Sequence, residues 1–422
     1  MTRIEVIRYL VLILPLVALV AAMQGGSRTR RERGALLLAG IASFVGLGVL
    51  HELARLVGWW DFLDVAGSWR GFPVDLWIGW AVLWGPLPVA LRRHVGLPVA
   101  VLAAAWLDVV MMPWLHPLVV LEAGWMWGEA AGLAGVLVPS VLLGRWCADR
   151  RRLEARASLQ VLVFGGLILW LLPTTAMTFG DGSWEYLAEL SSLQIVLLVQ
   201  VVLVVALPGV AAVVDLATRG NGTPFPWDPP DRLVVSGPYA YVANPMQLSA
   251  TVLLIILAGL TRSWSILAAA VGAATFSATV AEPHEREALR GRFGVDFDDY
   301  RREVRTWLPR RRPYLAGDAI LYLAEDCPLC QQLATTVTAA EVPRLAVGGA
   351  RAHPSSPERA LYRSADGCTD LGVAAVGRTL EHLNLGAAML GWFVRIPLVA
   401  PLLQLITDTV VPPATPIKEQ PR

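Results

Sequence analysis

Residues 193–217 read LQIVLLVQVVLVVALPGVAAVVDLA, a run of 25 almost entirely apolar residues. About 20 such residues are enough for a helix to cross a bilayer core of ~30 Å, so this stretch predicts a transmembrane helix. Eight further runs of the same kind lie at about 4–23, 35–57, 74–91, 96–119, 124–146, 157–179, 246–261 and 264–282. The whole chain is 55% hydrophobic and only 16% charged, which excludes an ordinary soluble protein. We therefore expect a polytopic α-helical membrane protein with about nine transmembrane helices.

Arginine clusters follow every second apolar run. They are Arg28, Arg30, Arg31 and Arg33 after the first, Arg92 and Arg93 after the third, Arg145, Arg150, Arg151, Arg152 and Arg156 after the fifth, Arg219 after the seventh, and residues 286–312 after the ninth. Positive residues favour the cytoplasmic side, so the N-terminus is expected outside and the C-terminal domain in the cytoplasm. Many of the 17 tryptophans lie near predicted helix ends, which predicts positions at the membrane interface. A net charge of +1 gives no support for a nucleic-acid partner.

The chain divides into four predicted regions. Residues 1–150 form an N-terminal transmembrane region whose role the sequence leaves open. Residues 151–314 contain two helices, a cytoplasmic connector, a helical hairpin broken near 261–263 and a charged amphipathic segment. Residues 315–411 form a small α/β domain, and residues 412–422 are a Pro-rich tail that is expected to be disordered. Within the domain, the apolar residues 386–406 are interrupted by Arg395, Pro397 and Pro401, which favours a docking or interfacial segment over a tenth span.

The connector at residues 219–245 is too rich in proline to be a helix, because it contains six prolines. We expect a structured loop. It contains Gly222-Thr223-Pro224, Asp228-Pro229-Pro230, Gly237-Pro238-Tyr239 and Asn244-Pro245, and downstream come Glu285, Phe293-Gly294, Tyr300 and Trp307-Leu308-Pro309.

In these motifs the chain resembles the isoprenylcysteine carboxyl methyltransferase and phospholipid methyltransferase superfamily of integral membrane enzymes. The resemblance implies S-adenosylmethionine as the methyl donor and a lipid-borne or hydrophobic acceptor with a carboxylate, thiol or amine group. It also implies roles for particular residues. Catalysis would involve Glu285, Asn244 and Tyr239, and the cofactor would be bound by Gly237, Pro238, Tyr239, Asn244, Pro245, Glu282, Glu285 and Tyr300.

The chain departs from the family pattern directly before Asn244-Pro245. The family usually has a basic residue there, whereas this chain has Ala243. Arg219, Arg232 or Arg286 could supply the missing positive charge. Glu282 and Glu285 lie about one helical turn apart, so both are expected on one side of the last helix.

The last region begins with a strand-like run at 319–323, followed by Asp326-Cys327-Pro328-Leu329-Cys330 and a helical stretch through Ala340. A second strand is predicted at 344–347 and a further helix at 372–383. This order predicts a small thioredoxin-like α/β domain with a redox pair. A helix N-terminus would stabilise the Cys327 thiolate, and Cys330 would resolve a mixed disulfide. The alternative, a zinc site, would need Cys368 and His353 at irregular spacing.

Around the cysteine pair, the chain resembles the DCC family of predicted thiol-disulfide oxidoreductases. That family has an aspartate three residues before the first cysteine, where this chain has Ala324. The resemblance implies a thiol-redox module, and we expect a cytoplasmic thiol reductant as its partner. Because the spacing of the zinc alternative is irregular, we expect no metal.

Three functions remain open from the sequence. The leading hypothesis is a methyltransferase with an appended redox module. The second is a membrane thiol-disulfide redox protein whose methyltransferase-like core is a non-catalytic scaffold. The third is a transporter-like or assembly protein. Only the carboxylates in or beside predicted spans suggest it, and these are Asp75, Asp108, Glu122 and Glu129.

Overall fold

The computed structural model of the protein describes residues 2–25, 28–355 and 357–410. The predicted tail at 412–422 lies outside these residues. The chain forms two compact units. Unit 1 comprises Met1–Trp184, Gly222–Pro229 and Leu260–Ile266, and unit 2 comprises Glu185–Asn221, Pro230–Gly259 and Leu267–Arg422. The connector at residues 219–245 therefore contributes residues 222–229 to unit 1 and residues 219–221 and 230–245 to unit 2.

Unit 1 is mainly helical. Its helices are α1 (Arg3–Gln24), α2 (Arg30–Val57), α3 (Val74–Trp84), α4 (Pro86–Ala90), α5 (Leu97–Met111), α6 (Trp125–Gly132), α7 (Val138–Asp149), α8 (Leu153–Gly166) and α9 (Leu172–Phe179). The first two helices begin with capping boxes, in which Thr2 pairs with Glu5 and Thr29 pairs with Glu32. Each box satisfies backbone N–H groups that the helix itself leaves unpaired.

Short strands connect the helices of unit 1. Strand β1 (Trp60–Phe62) pairs antiparallel with β4 (Val119–Leu121), and β2 (Ser68–Trp69) pairs antiparallel with β3 (Phe72–Pro73). Several tryptophans lie inside unit 1 rather than on its surface. Trp60, Trp69, Trp77, Trp80 and Trp84 are buried in the core of unit 1. Their large apolar rings fill space between helices that carry many small residues.

Residues 222–229 of the connector are held in unit 1 by a buried carboxylate. Asp228 is 1% exposed, and it accepts hydrogen bonds from Arg31 at 2.7 Å and from Thr223 at 3.1 Å. Arg156, also buried, lies 3.1 Å from the same carboxylate. The charge is therefore paired, as a buried charge must be. The prediction of a structured loop is confirmed for residues 222–229.

Within the described residues, seven helices are long and apolar enough to cross a membrane, judged by length and composition. They are Arg3–Gln24, Arg30–Val57, Leu97–Leu115, Trp125–Asp149, Leu153–Phe179, Ser192–Thr218 and Trp264–Phe293. Two further predicted runs form the shorter apolar helices Val74–Ala90 and Pro245–Leu260. All nine apolar runs are thus helical. The apolar stretch near the C-terminus forms two helices bent by 84°.

Unit 2 contains the remaining helices. They are α10 (Glu185–Ala188), α11 (Ser192–Thr218), α12 (Pro245–Leu260), α13 (Trp264–Phe276), α14 (Glu282–Phe293), α15 (Val295–Glu303), α16 (Pro328–Ala339), α17 (Val373–Leu380), α18 (Leu385–Val394) and α19 (Val399–Val410). The predicted break between α12 and α13 is confirmed, and its turn belongs to unit 1. A π turn joins α13 to α14. Gly294, at φ +57°, then ends α14, because a left-handed conformation is costly for other residues.

The C-terminal part of unit 2 contains a four-stranded sheet. Its strands are β5 (Ala319–Leu323), β6 (Leu345–Gly349), β7 (Leu361–Arg363) and β8 (Thr369–Leu371), in the order β6-β5-β7-β8. Strands β5 and β6 are parallel and are connected through α16, whereas β7 pairs antiparallel with both β5 and β8. The predicted elements at 319–323, 344–347 and 372–383, and the helix after Cys327, are confirmed. The three-residue strands β7 and β8 were not predicted.

Candidate functional site

The second half of the connector pairs with the segment that follows α15. Backbone N–H groups donate from Ala243 to Arg305 (2.9 Å), from Asn244 to Thr306 (3.3 Å), from Arg310 to Tyr241 (2.9 Å) and from Tyr314 to Ala240 (2.8 Å). These bonds bring together the two stretches that carry the sequence motifs. The residues predicted for the cofactor site thus all lie in one region of unit 2.

Two tyrosines lie at the centre of this region. The hydroxyl of Tyr300 donates a hydrogen bond to the backbone oxygen of Tyr239 at 2.8 Å, and both residues are buried. Burial raises the pKa of the Tyr239 phenol, and Tyr300 and the carboxylates of Glu285 and Asp215 raise it further. Tyr239 is therefore a neutral phenol at physiological pH, able to donate or accept a hydrogen bond but unable to act as a base.

Ala243 packs against the cluster formed by Phe297, Tyr300 and Val304. A long basic side chain at this position would have to displace these buried groups or turn away from them. The packing gives a physical reason for the small residue where the family pattern has a basic one.

The two predicted carboxylates have different environments. Glu282 accepts hydrogen bonds from Arg286 at 2.5 Å, from Arg301 at 3.0 Å and from Thr306 Oγ1 at 2.6 Å. Glu285 is exposed, and among the described residues it has no hydrogen-bond or ion-pair partner. The charge of Glu282 is thus already neutralised, whereas Glu285 is available to bind a cation.

The side chain of Asn244 is oriented locally. Its Nδ2 donates to Gln247 Oε1 at 3.0 Å, and the hydroxyl of Ser277 donates to the same oxygen at 2.5 Å. The carbonyl Oδ1 of Asn244 is not used in these contacts. Pro245 is the first residue of α12, a position that suits proline because the first N–H of a helix has no intrahelical partner.

A glycine is required at position 237 because the backbone there lies very close to the Asp215 side chain. The φ of Gly237 is +60°, and a Cβ atom at this position would lie 1.7 Å from Asp215 Oδ2. With Pro238 it begins the short turn Gly237–Ala240 that presents Tyr239. The position of this turn therefore depends directly on the Asp215 side chain.

Asp215 is fully buried at the end of α11 and binds two arginines. Arg378 Nη2 donates to Asp215 Oδ1 at 2.5 Å, and Arg395 also donates to this oxygen. Glu381 pairs with both arginines, while Asp370 binds Arg378 at 3.1 Å and Arg219 at 2.7 Å. We call this set of six residues the Asp215 charge cluster. It contains three carboxylates and three guanidinium groups, so its charges balance.

The cluster shifts the pKa values of Asp370 and Arg378. Burial alone would raise the pKa of Asp370, but Arg378, Arg395 and Arg219 outweigh burial and hold it below its usual value. Burial alone would lower the pKa of Arg378, but Asp215, Glu381 and Asp370 raise it well above its usual value. Asp370 and Arg378 are therefore both ionised at neutral pH.

Sequence reasoning missed this cluster. Asp215 is separated from Arg378 by 163 residues and from Arg395 by 180. The sequence contained one signal for it. Asp215 lies in the last turn of a long apolar helix, where a carboxylate needs a partner.

The cysteine pair lies at the start of α16, as predicted. Cys327 is the N-cap residue of this helix, and its Sγ accepts a hydrogen bond from the backbone N–H of Cys330 at 3.2 Å. Burial raises the pKa of the Cys330 thiol to about 12, with a further contribution from Cys327. Of the two thiols, Cys327 is thus the one whose sulfur faces a helix N-terminus, where a thiolate is stabilised.

The zinc alternative is not supported by the geometry. Among the residues that the structure describes, no group of three or more histidine, cysteine or acidic side chains is arranged to hold a metal ion. Cys368 and His353 are not brought together with the cysteine pair.

Comparison of the chain with known protein families, with curated proteins and with solved structures finds no match. Function must therefore be inferred from the chemistry and geometry of the site itself.

The Asp215 charge cluster generates a stability prediction. Asp215→Asn keeps the shape of the side chain but leaves Arg378 and Arg395 with one carboxylate fewer in a buried position. We expect the free energy of unfolding to fall by about 3–5 kcal/mol. The control is Asp366→Asn, whose carboxylate is 58% exposed and lies 3.8 Å from Arg219, and which should cost no more than about 1 kcal/mol. Denaturant unfolding of the purified protein in detergent measures both, and equal losses would contradict the account.

Proposed function

We propose that the protein is an S-adenosylmethionine-dependent methyltransferase that acts on a lipid-borne or hydrophobic acceptor. The observation that carries the proposal is that an available carboxylate, Glu285, lies close enough to Tyr239 in the Gly237–Ala240 turn for its charge to act on the phenol. The same region contains the pairing of residues 240–244 with residues 305–314. The cofactor supplies an electrophilic methyl group on a sulfonium, together with an α-amino group, a carboxylate and an adenosine.

The residues of this region fit such a ligand. Glu285 is free to bind the α-ammonium group, whereas Glu282 is held by Arg286 and Arg301. Arg301 in turn places positive charge near Glu285, and it takes the role of the basic residue that the family pattern has at position 243. Arg219 cannot take this role, because it is bound to Asp370 within the charge cluster.

In this reaction the main role of the protein is to position the methyl donor and the acceptor. In a direct in-line transfer, the bond from the methyl carbon to sulfur breaks as the bond to the acceptor forms, and the electron pair remains on sulfur. Holding the two reactants in line supplies much of the rate. An ionised carboxylate or thiolate needs no general base, whereas an ammonium must first lose a proton. Since Tyr239 is neutral and buried, an already ionised acceptor is favoured.

The proposal also includes the orientation of the chain. The arginine clusters after alternate apolar runs support an N-terminus outside and a cytoplasmic C-terminal domain. In this orientation α11 ends and α12 begins on the cytoplasmic side, so the Gly237–Ala240 turn and Glu285 face the compartment that supplies the methyl donor. The acceptor reaches the site from the bilayer.

The carboxylate of Glu285 provides the test of this proposal. Glu285→Gln removes its charge while keeping its shape, and one charge-assisted contact is worth about 1.5–3 kcal/mol, so the cofactor should bind about 10- to 100-fold more weakly. The measurements are equilibrium binding of radiolabelled S-adenosylmethionine to the purified protein and methyl transfer to extracted membrane lipids. Glu287→Gln, also exposed on α14, is the matched control. Unchanged binding in Glu285→Gln would count against the site.

A second activity, thiol-disulfide exchange at Cys327 and Cys330, is favoured by the position of the pair. The parallel β5–α16–β6 unit carries Cys327 at the N-terminus of its crossover helix, and the antiparallel strands β7 and β8 extend the same sheet. This arrangement supports a thioredoxin-like domain. The Cys327 thiolate would attack a partner disulfide and release one partner thiol. Cys330 would then attack Cys327, releasing the second thiol and leaving an intramolecular disulfide.

The two thiols should differ in reactivity. Burial, the largest cause of the raised pKa of Cys330, favours its protonated thiol at pH 8. Alkylation with iodoacetamide at pH 8 should therefore modify Cys327 rapidly in Cys330→Ser, and Cys330 slowly in Cys327→Ser. Mass spectrometry of the peptides measures both rates, and Cys368→Ser serves as the control that leaves both thiols in place. Equal rates, or faster modification of Cys330, would refute the assignment.

A further inference from the structure

Unit 1 contains a cavity of about 40 Å³ that is lined by aromatic and aliphatic side chains. The aromatic side chains are Trp60, Phe62, Phe72, Trp80 and Trp84. One water molecule needs roughly 10–15 Å³ on the same measure, so the cavity has room for a larger group. Two polar side chains, His51 and Glu129, also line it.

Both polar side chains are more than nine-tenths buried. His51 is 3% exposed and Glu129 is 4% exposed. Among the described residues, Glu129 Oε1 and His51 Nδ1 have no hydrogen-bond partner. A buried polar atom without a partner is costly, which points to a ligand that supplies one.

The tautomer of His51 follows from its second nitrogen. His51 Nε2 lies 3.0 Å from the backbone oxygen of Arg70. A carbonyl oxygen only accepts hydrogen bonds, so Nε2 carries the proton. In a neutral ring Nδ1 is then an acceptor. The unpartnered Nδ1 of His51 is therefore an acceptor, and Oε1 of an ionised Glu129 is an acceptor as well. Both atoms belong to side chains that line the cavity.

The charge of the site points to a cation. Asp108, also fully buried, accepts a hydrogen bond from Trp84 Nε1 at 2.6 Å, and it lies close enough to Glu129 for their charges to repel each other. Within the described part of the chain, neither carboxylate has an arginine or lysine within 4 Å. Carboxylates buried in a membrane-spanning region without compensation are costly, and a bound cation would offset this cost.

We infer that this cavity binds a small primary alkylammonium ion. Glu129 supplies the opposite charge, Glu129 Oε1 and His51 Nδ1 accept N–H groups, and the indole and phenyl faces attract the cation and pack against its alkyl group. A quaternary ammonium ion would fit the aromatic faces but could not donate to the two acceptors. The inference does not rest on the methyltransferase proposal, because every residue in it belongs to unit 1.

Equilibrium binding of radiolabelled methylammonium to the purified full-length protein in detergent tests the inference. The wild type should bind it saturably, and unlabelled tetramethylammonium and potassium should compete at least tenfold more weakly. Glu129→Gln, which keeps the shape of the side chain, should weaken binding at least tenfold. Glu122→Gln, at an exposed position just before the helix that carries Glu129, should bind as the wild type does.

The comparison of ions in the wild type keeps the inference falsifiable even if Glu129→Gln fails to fold. An absence of saturable methylammonium binding would overturn it and leave protonation of Glu129 as the compensation for its burial. Equal competition by tetramethylammonium would overturn the roles of Glu129 Oε1 and His51 Nδ1 as acceptors. Equal binding by Glu129→Gln and Glu122→Gln would overturn the role of Glu129.

Discussion

The ion pairing of Asp215 is the interaction on which the proposed site depends. A carboxylate at the end of an apolar helix must be neutralised, and Arg378 and Arg395 do this from α17 and from the residue after α18. The same carboxylate lies against Gly237, so it also fixes the turn that presents Tyr239. One buried charge thus connects α11, the connector and the helices that follow the sheet.

The site follows from this arrangement in a short series of contacts. The backbone oxygen of Tyr239 accepts a hydrogen bond from the hydroxyl of Tyr300. Backbone hydrogen bonds from Ala243 and Asn244 to residues 305 and 306 extend this contact. Glu282 is then held by Arg301, which leaves Glu285 as the open carboxylate. The buried charges of the Asp215 charge cluster are paired, whereas the carboxylate of Glu285, which would bind the ligand, is exposed.

Sequence reasoning predicted what depends on local pattern. The apolar runs, the break between α12 and α13 and the start of α16 at the cysteine pair all follow from length, turn residues and capping. The partners of buried charges could not be predicted, because they lie far apart in the chain: Arg31 and Asp228 are 197 residues apart. The difference between Glu282 and Glu285 was also hidden, since only the fold shows which of the two is already bound. The aromatic cavity could not be predicted for the same reason, because its walls come from segments that are separated by loops in the chain.

Protection of Glu285 from chemical modification is the most direct measurement of the central claim. A carbodiimide with an amine nucleophile modifies accessible carboxylates, and mass spectrometry reports each position. Saturating S-adenosylmethionine should protect Glu285 and leave the modification of exposed Glu287 unchanged. Equal modification of Glu285 with and without S-adenosylmethionine would contradict the proposed binding site.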